Sequence, residues 1–136
     1  MKKLSLILAT LALGACTTVI TNDNPVEARS DLKEVCIQKN TNDKIPEFSN
    51  YLKNSLVKKG LKAKVISRQE QCPFRLTYNI TVSHDSVQRG KFYVFEGRQK
   101  LASLGYKRRA EEKVKVRETG AQGQADLIVN TLFRNF

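Results

Sequence analysis

The segment Phe74-Arg75-Leu76-Thr77-Tyr78-Asn79-Ile80-Thr81-Val82 decides the fold. Apolar side chains alternate with polar ones throughout it, which is the period of a half-buried β-strand. One face of this strand is therefore expected to lie on a core and the other in water.

Downstream of this strand, the sequence predicts a hairpin and a closing helix. Apolar and β-branched residues at 91–96 and 101–106 flank the turn residues Glu96-Gly97-Arg98-Gln99, which favours two antiparallel strands. After Gly120 and Gly123, apolar residues recur at helical spacing at Ala125, Ile128, Val129, Leu132 and Phe136. We therefore expect a meander followed by an amphipathic C-terminal helix that packs on the sheet.

The segment between the hairpin and the helix, residues 107–119, gives conflicting signals. Val114 and Val116 alternate with basic residues as in a strand, whereas Ala110-Glu111-Glu112 favours a helix. We expect a strand extension or a mobile loop here.

Upstream, the sequence predicts a strand, a helix and a second strand. Residues 32–38 contain Val35-Cys36-Ile37, a short apolar run that suits a buried strand. Asn42 or Asp43 then caps a helix that Gly60 ends, with Ile45, Phe48, Leu52 and Leu56 on one face. Residues 61–66 alternate as a strand does, and this order predicts a crossover between parallel strands. The predicted fold class is α+β: a small strand-helix-strand unit, an antiparallel meander and a C-terminal helix packed on the sheet.

The chain begins with an export signal. Lys2 and Lys3 precede an apolar run at 4–13 that is too short to span a bilayer. The run ends in Leu13-Gly14-Ala15-Cys16, which resembles the lipobox of bacterial lipoproteins. The resemblance implies cleavage before Cys16 and acylation of that residue, which anchors the chain in a membrane. An ordinary secretory leader that happens to precede a cysteine is the alternative.

The residue after the lipidated cysteine bears on localisation. It is Thr17 and not aspartate, and under the enterobacterial sorting pattern the resemblance to bacterial lipoproteins implies transport to the outer membrane, with the domain facing the periplasm. Residues 17–30 are polar and show neither helical nor strand periodicity. The predicted organisation is a signal peptide at 1–15, a lipidated flexible tether at 16–30 and a single α+β domain at 31–136.

Two further cysteines, Cys36 and Cys72, form an even pair in a chain predicted to leave the reducing cytoplasm. Under that condition cysteine pairs become disulfides. Two separately buried thiols are the alternative.

Short motifs along the chain resemble a family of small, functionally uncharacterised lipoproteins of Gram-negative bacteria. These motifs are Val35-Cys36-Ile37, Cys72-Pro73-Phe74, Leu76-Thr77-Tyr78 and Val129-Asn130-Thr131-Leu132-Phe133. The resemblance covers most of residues 32–136 and implies the two-cysteine framework and the order of elements, but no activity. Relatives tend to carry a tryptophan after the Cys-Pro strand, where this chain has Ser83-His84-Asp85.

Basic residues dominate the charge, with 24 Lys and Arg against 13 Asp and Glu and a formal net charge of +11. The candidate anion-binding residues form two clusters, Lys58, Lys59, Lys62 and Lys64, and Lys107, Arg108 and Arg109. For an exported chain the available polyanions are membrane and glycolipid phosphates and acidic proteins, so we do not expect nucleic acid as the partner.

The sequence offers little for catalysis or for a cofactor. Ser83-His84-Asp85 names the residue types of a triad, but neighbours in an extended chain point to opposite faces. His84 is the single histidine, and no cluster has metal-ligand spacing. We therefore expect no catalytic residue, metal or cofactor.

The sequence favours a non-enzymatic interaction or envelope accessory module that docks on a protein partner. Binding of an anionic glycan or lipid is the alternative, and a hydrolase ranks third.

Overall fold

The computed structural model describes residues 20–39, 45, 47–67, 70–109 and 113–136, with the backbone alone for 113–118. It shows an α+β fold with one six-stranded sheet and two helices. The elements are β1 Ile20–Asn24, β2 Glu34–Gln38, α1 Phe48–Lys58, β3 Lys62–Ile66, β4 Phe74–Ser83, β5 Ser86–Glu96, β6 Gln99–Lys107 and α2 Lys113–Leu132. The predicted fold class is therefore confirmed.

The strands are arranged in the order β1-β6-β5-β4-β2-β3. Strands β4, β5 and β6 form the expected antiparallel meander. Strand β2 lies parallel to both β3 and β4, so the crossover through α1 is confirmed. The sheet is mixed, with β1 and β3 at its two edges.

Both helices pack on the same face of the sheet. In β4 the residues Phe74, Leu76, Tyr78 and Ile80 are buried there, and the residues between them are half-buried or exposed. From α1, Phe48 places its ring 5.7 Å from that of Tyr78. The fully buried core is completed by Leu52, Leu56, Phe92, Val94, Ile128, Val129, Leu132 and Phe133. The alternation seen in the sequence thus separates a helix-covered face from an open face.

Cys36 and Cys72 form the predicted disulfide, with their Cα atoms 6.4 Å apart and a separation of 36 positions in sequence. The bond joins β2, which lies next to edge strand β3, to the segment that precedes β4. A loop of this size is expected to contribute roughly 3–4 kcal/mol to stability through chain entropy.

The end of α1 follows the prediction and its beginning does not. Gly60 has a φ of 88° just after the helix, a conformation that favours glycine and ends helices. The helix starts at Phe48 after Glu47, which makes no side-chain capping hydrogen bond. The predicted caps Asn42 and Asp43 lie outside the described residues.

The prediction of a flexible tether at 16–30 is wrong for residues 20–30. Residues 20–24 form β1, which pairs antiparallel with β6, and Val26 is 1% exposed in the core. The Val26 N–H donates to the Leu132 carbonyl at 2.9 Å, and Arg29 contacts Glu96 at 3.1 Å. The sequence did not predict β1 because four of its five residues are exposed. Its residues therefore do not alternate between apolar and polar as those of a half-buried strand do. Cys16 lies outside the described residues.

The expectation of a strand extension or mobile loop at 107–119 is also wrong for residues 113–119. Strand β6 ends at Lys107, and the backbone is helical from Lys113 to Leu132 except at Gly120. Valine lowers helix propensity only slightly, so the alternation of Val114 and Val116 does not prevent a helix. Gly120, with φ 69° and ψ −167°, separates two helical segments. Within the described residues, neither helix meets the length and apolarity that crossing a membrane requires.

Candidate functional site

The open face of the sheet presents its side chains in cross-strand rows. One row runs from Thr81 to Arg89 and Lys107, and the next from Asn79 to Lys91, Gly105 and Asn22. A third joins Thr77, Tyr93 and Ser103, and a fourth joins Arg75, Phe95 and Lys100. Since directly opposed residues in a sheet lie about 5 Å apart, the side chains of each row are close neighbours, and most of them are polar.

These rows line a groove with a volume of about 590 Å³. Its cations are Arg89, Lys91, Lys100 and Lys107, all exposed. Hydroxyl and amide groups come from Thr21, Asn22, Asn79, Thr81 and Ser103, and aromatic residues are Tyr93 and Tyr106. None of the described residues that line the groove is acidic. The groove therefore combines positive charge, neutral hydrogen-bonding groups and aromatic rings.

Gly105 shapes the floor of the groove. A Cβ at this position would collide with Oγ1 of Thr21 and approach Oδ1 of Asn22 to 3.3 Å. A side chain at position 105 would therefore displace the Thr21 side chain that lies over it. Because Thr21 and Asn22 line the groove, β1 provides one of its walls.

The cations at one end of the groove have no ion-pair partner among the residues that the structure describes. Arg89 and Lys107 stand directly opposite each other in the β5–β6 register, and facing like charges are unfavourable. The ion pairs among the described residues are Arg29–Asp31, Arg29–Glu96, Lys58–Asp126 and Arg134–Asp23. An anion bound between Arg89 and Lys107 would relieve their repulsion.

At the other end of the groove and in the row beyond it, cations lie over aromatic rings. Lys100 Nζ is 5.6 Å from the centre of the Tyr93 ring, and the guanidinium of Arg75 is 5.8 Å from that of Phe95. Arg75 also donates to Gln38 Oε1 and to the Gly97 carbonyl, each at 2.9 Å. Arg75 is therefore fixed in place, whereas Lys100 has the cation–π contact and an exposed side chain.

The structure separates the two predicted basic clusters. Lys107 lies in the groove, and Lys62 and Lys64 lie on edge strand β3. Four strand spacings, roughly 19 Å, lie between β3 and β6. Lys62 is also at the opposite end of the strands from Lys107. It pairs with Glu34 at the start of β2. Two residues later, Cys36 pairs with Arg75 near the start of β4. The two clusters cannot act as one patch.

The remaining members of the predicted clusters have other contacts or lie elsewhere. Lys58 forms an ion pair with Asp126 at 3.0 Å, and Lys59 follows it at the C-terminal end of α1. Arg108 Nη1 donates to the Ser83 carbonyl at 3.1 Å and to Ser86 Oγ. Arg109 is exposed beyond the end of β6. Arg108 is thus occupied with holding the turn between β4 and β5.

Ser83-His84-Asp85 forms this turn. His84 and Asp85 both have positive φ, 56° and 63°, as the two central residues of a type I′ hairpin turn do. Ser86 Oγ donates to the Ser83 carbonyl at 3.2 Å. The three residues are thus engaged in reversing the chain. Among the described residues, no group of three or more His, Cys, Asp or Glu side chains could hold a metal ion.

Sequence reasoning missed four of the residues that define the groove: Arg89, Lys91, Tyr93 and Lys100. The signal that could have found three of them is the alternation of Arg89, Lys91, Tyr93 and Phe95 along β5. These side chains share the open face because strand residues two apart point the same way. Lys100 reaches the same face through the register of the hairpin, which the sequence does not reveal.

Comparisons with known proteins bear on the fold. No protein-family model matches this chain, and no curated protein matches it. Among solved structures, the PelC dodecamer from Paraburkholderia phytofirmans is similar, with a TM-score of 0.52 and 11% sequence identity. The match covers 82% of this chain and 94% of that chain. At this identity the likeness shows a shared fold and no more.

Proposed function

We propose that this chain is a lipid-anchored envelope accessory protein that faces the periplasm, catalyses no reaction and binds an anionic ligand on the open face of its sheet. The observation that carries the proposal is the groove itself. Four exposed cations converge on it, and its described lining holds no carboxylate. Exposed cations without a carboxylate in the described lining favour a polyanion over a neutral ligand.

The composition of the groove favours phosphate or carboxylate groups displayed on a polar scaffold. Arg89 supplies a planar guanidinium suited to such oxyanions, and the lysines add mobile point charges. Tyr93 and the neighbouring hydroxyl and amide groups suit the polar scaffold that carries the anions. Glycolipid head groups and acidic glycans both have this chemistry.

The lipid anchor rests on the residues before β1. Leu13-Gly14-Ala15-Cys16 is the observation that supports acylation, and Thr17 supports the outer membrane as the destination. Mass spectrometry of the protein from membranes is expected to show an acylated N-terminal Cys16. A mature protein that begins elsewhere, or carries no acyl chain, would contradict the anchor.

Capture from cross-linked envelopes at low and high salt tests the binding proposal. The unaltered lipidated protein is expected to retain an anionic glycan or lipid at low salt and to lose it at high salt, because screening weakens exposed charge contacts. The variant Arg89→Ser/Lys107→Ser is expected to recover several-fold less. The matched control Lys62→Ser/Lys64→Ser removes the same charge from exposed strand positions and is expected to recover as much as the unaltered chain.

A second candidate is a protein partner, including a further copy of this chain. The structural neighbour is a dodecamer, so this fold is compatible with a large assembly. Against it, the exposed large hydrophobic residues of the described chain are Val57 and Leu127 alone, which is little for a stable interface. A protein recovered equally at low and high salt from both double variants would favour this candidate over anion binding.

A further inference from the structure

The direction of β1 places one end of the groove next to the lipid anchor. Ile20, the first residue of β1, pairs with Tyr106, and Asn24 pairs with Ser103. Lys107 follows Tyr106 on β6 and pairs with Arg89. The start of β1 therefore lies at the end of the sheet that carries the opposed cations Arg89 and Lys107.

The chain between the anchor and β1 is short. From Cys16 to Ile20 there are only four Cα steps, which span at most about 15 Å. Strand β5 alone extends through Ser86–Glu96, roughly 37 Å at the rise of an antiparallel strand. A flexible tether through residue 30 would let any surface approach the membrane, but the pairing of β1 with β6 removes that freedom. The anchor holds the Ile20 end of the sheet near the head groups.

The charge of this end suits an anionic membrane. Arg89, Lys107 and Arg109 are exposed there, with Lys91 one row further along the groove. Asp85, in the turn between β4 and β5, adds one negative charge at this end of the sheet. The ion pairs of the described chain do not involve Arg89 or Lys107. Lys62 and Lys64 lie at the other end of the strands, where the anchor does not bring them to the membrane.

We propose that the Arg89–Lys107 end of the groove docks on phosphate groups of the same membrane that carries the lipid anchor. In this orientation the start of β1 is the part of the sheet nearest to the membrane, and the turn between β5 and β6 is the part farthest from it. This inference rests on the proposed function, because it requires the anchor at Cys16, and it names the source of the anion as the membrane and not a soluble glycan.

Single tryptophan reporters test this orientation, because the chain contains no tryptophan of its own. Gln88 and Gln99 are exposed residues at opposite ends of β5 and β6. The lipidated variants Gln88→Trp and Gln99→Trp form a matched pair. They are reconstituted in vesicles of phosphatidylglycerol and phosphatidylcholine that carry a nitroxide quencher at the head group. We expect several-fold stronger quenching at position 88 than at position 99.

Two controls separate docking from simple tethering. Adding Arg89→Ser/Lys107→Ser is expected to reduce the difference between positions 88 and 99, whereas adding Lys62→Ser/Lys64→Ser is expected to preserve it. Vesicles of phosphatidylcholine alone are expected to reduce it too, since they lack net negative charge. Equal quenching at the two positions in anionic vesicles, or a difference unaffected by Arg89→Ser/Lys107→Ser, overturns the docking.

Flotation of the same samples distinguishes this failure from failure of the proposed function. Protein that floats with the vesicles but shows equal quenching overturns the docking alone and leaves the anchor intact. Protein that does not float overturns the lipid anchor, and with it both proposals of membrane attachment. Flotation with preferential quenching at position 88 that Arg89→Ser/Lys107→Ser reduces supports both.

Discussion

The side-chain amide of Gln124 forms hydrogen bonds with both backbone groups of Val87. Its Oε1 accepts from the Val87 N–H at 2.8 Å, and its Nε2 donates to the Val87 carbonyl at 2.8 Å and to Tyr106 Oη at 2.6 Å. Gln124 is 3% exposed and lies near the register shift between Thr81 and Val82. The Gln124 side chain thus provides hydrogen-bond partners for two backbone groups inside the core. It also joins α2 to β5 and β6.

Replacing Gln124 by leucine is expected to lower the free energy of unfolding by about 2–4 kcal/mol, because it leaves the buried Val87 N–H and carbonyl without these partners. Urea unfolding measures the change. Asn130 offers the matched control, since it is an exposed amide on the same helix, and Asn130→Leu is expected to change stability by less than about 0.5 kcal/mol. Equal losses for the two variants would contradict the role of Gln124.

The turn at His84 and Asp85 is expected to be a cost to stability. Both residues have positive φ, which is unfavourable for residues with a Cβ. The double variant His84→Asn/Asp85→Gly is expected to raise the free energy of unfolding by about 0.5–1 kcal/mol, since Asn-Gly suits a type I′ turn. Asp85→Ala keeps a Cβ at positive φ and is expected to give no gain.

The same double variant tests the hydrolase alternative. Because it removes both the histidine and the aspartate of Ser83-His84-Asp85, any catalysis by these residues would be abolished. We expect anion binding and the cellular phenotype to remain unchanged. Loss of either in a variant that is at least as stable as the unaltered chain would bring catalysis by the turn back into consideration.

Asp126 is expected to make stability depend on pH. Burial alone would raise its pKa, but hydrogen bonds from Ser55, Lys58 and Gln122 outweigh this and hold the pKa below its ordinary value. The distances from Asp126 Oδ1 are 2.6 Å to Ser55 Oγ and 3.1 Å to Gln122 Nε2. The contacts with Ser55 and Lys58 join α1 to α2, whereas Gln122 lies on α2 itself.

The sign of this dependence follows from the lowered pKa. The charged form of Asp126 is favoured by folding, so its contribution is complete above the unfolded pKa of about 3.9 and is lost as the pH falls through the lower folded value. The urea midpoint of the unaltered chain is therefore expected to exceed that of Asp126→Asn near neutral pH, with the gap closing in acid. A gap that widens as the pH falls would contradict this.

The sequence was sufficient to predict those elements in which burial produces a regular pattern of apolar residues. Strand β4 alternates buried and exposed residues almost without interruption, and the apolar stripe of α2 after Gly120 packs as expected. The Cys36–Cys72 bond followed from the number of cysteines and the export signal. In each case the signal is local or depends on composition.

The sequence was insufficient where the signal lies in pairing across the sheet. Strand β1 is held by hydrogen bonds to β6 and shows no apolar period. In the candidate groove, Arg89 and Lys107 are 18 positions apart in sequence and are brought together by the pairing of β5 with β6. The basic runs at 58–64 and 107–109 were instead grouped because their members are close along the chain. Two of their members, Lys58 and Arg108, prove to hold other parts of the fold.

The central claim is that anions bind between Arg89 and Lys107, and a titration observed by NMR tests it most directly. The lipidated protein in neutral detergent micelles is titrated with inositol hexakisphosphate, and backbone amide shifts locate the bound anion. We expect shifts concentrated at Arg89, Lys91, Gly105 and Lys107, weakening with salt and lost in Arg89→Ser/Lys107→Ser. Shifts centred on Lys58, Lys62 and Lys64, or shifts that persist in the Arg89→Ser/Lys107→Ser variant, would contradict the account.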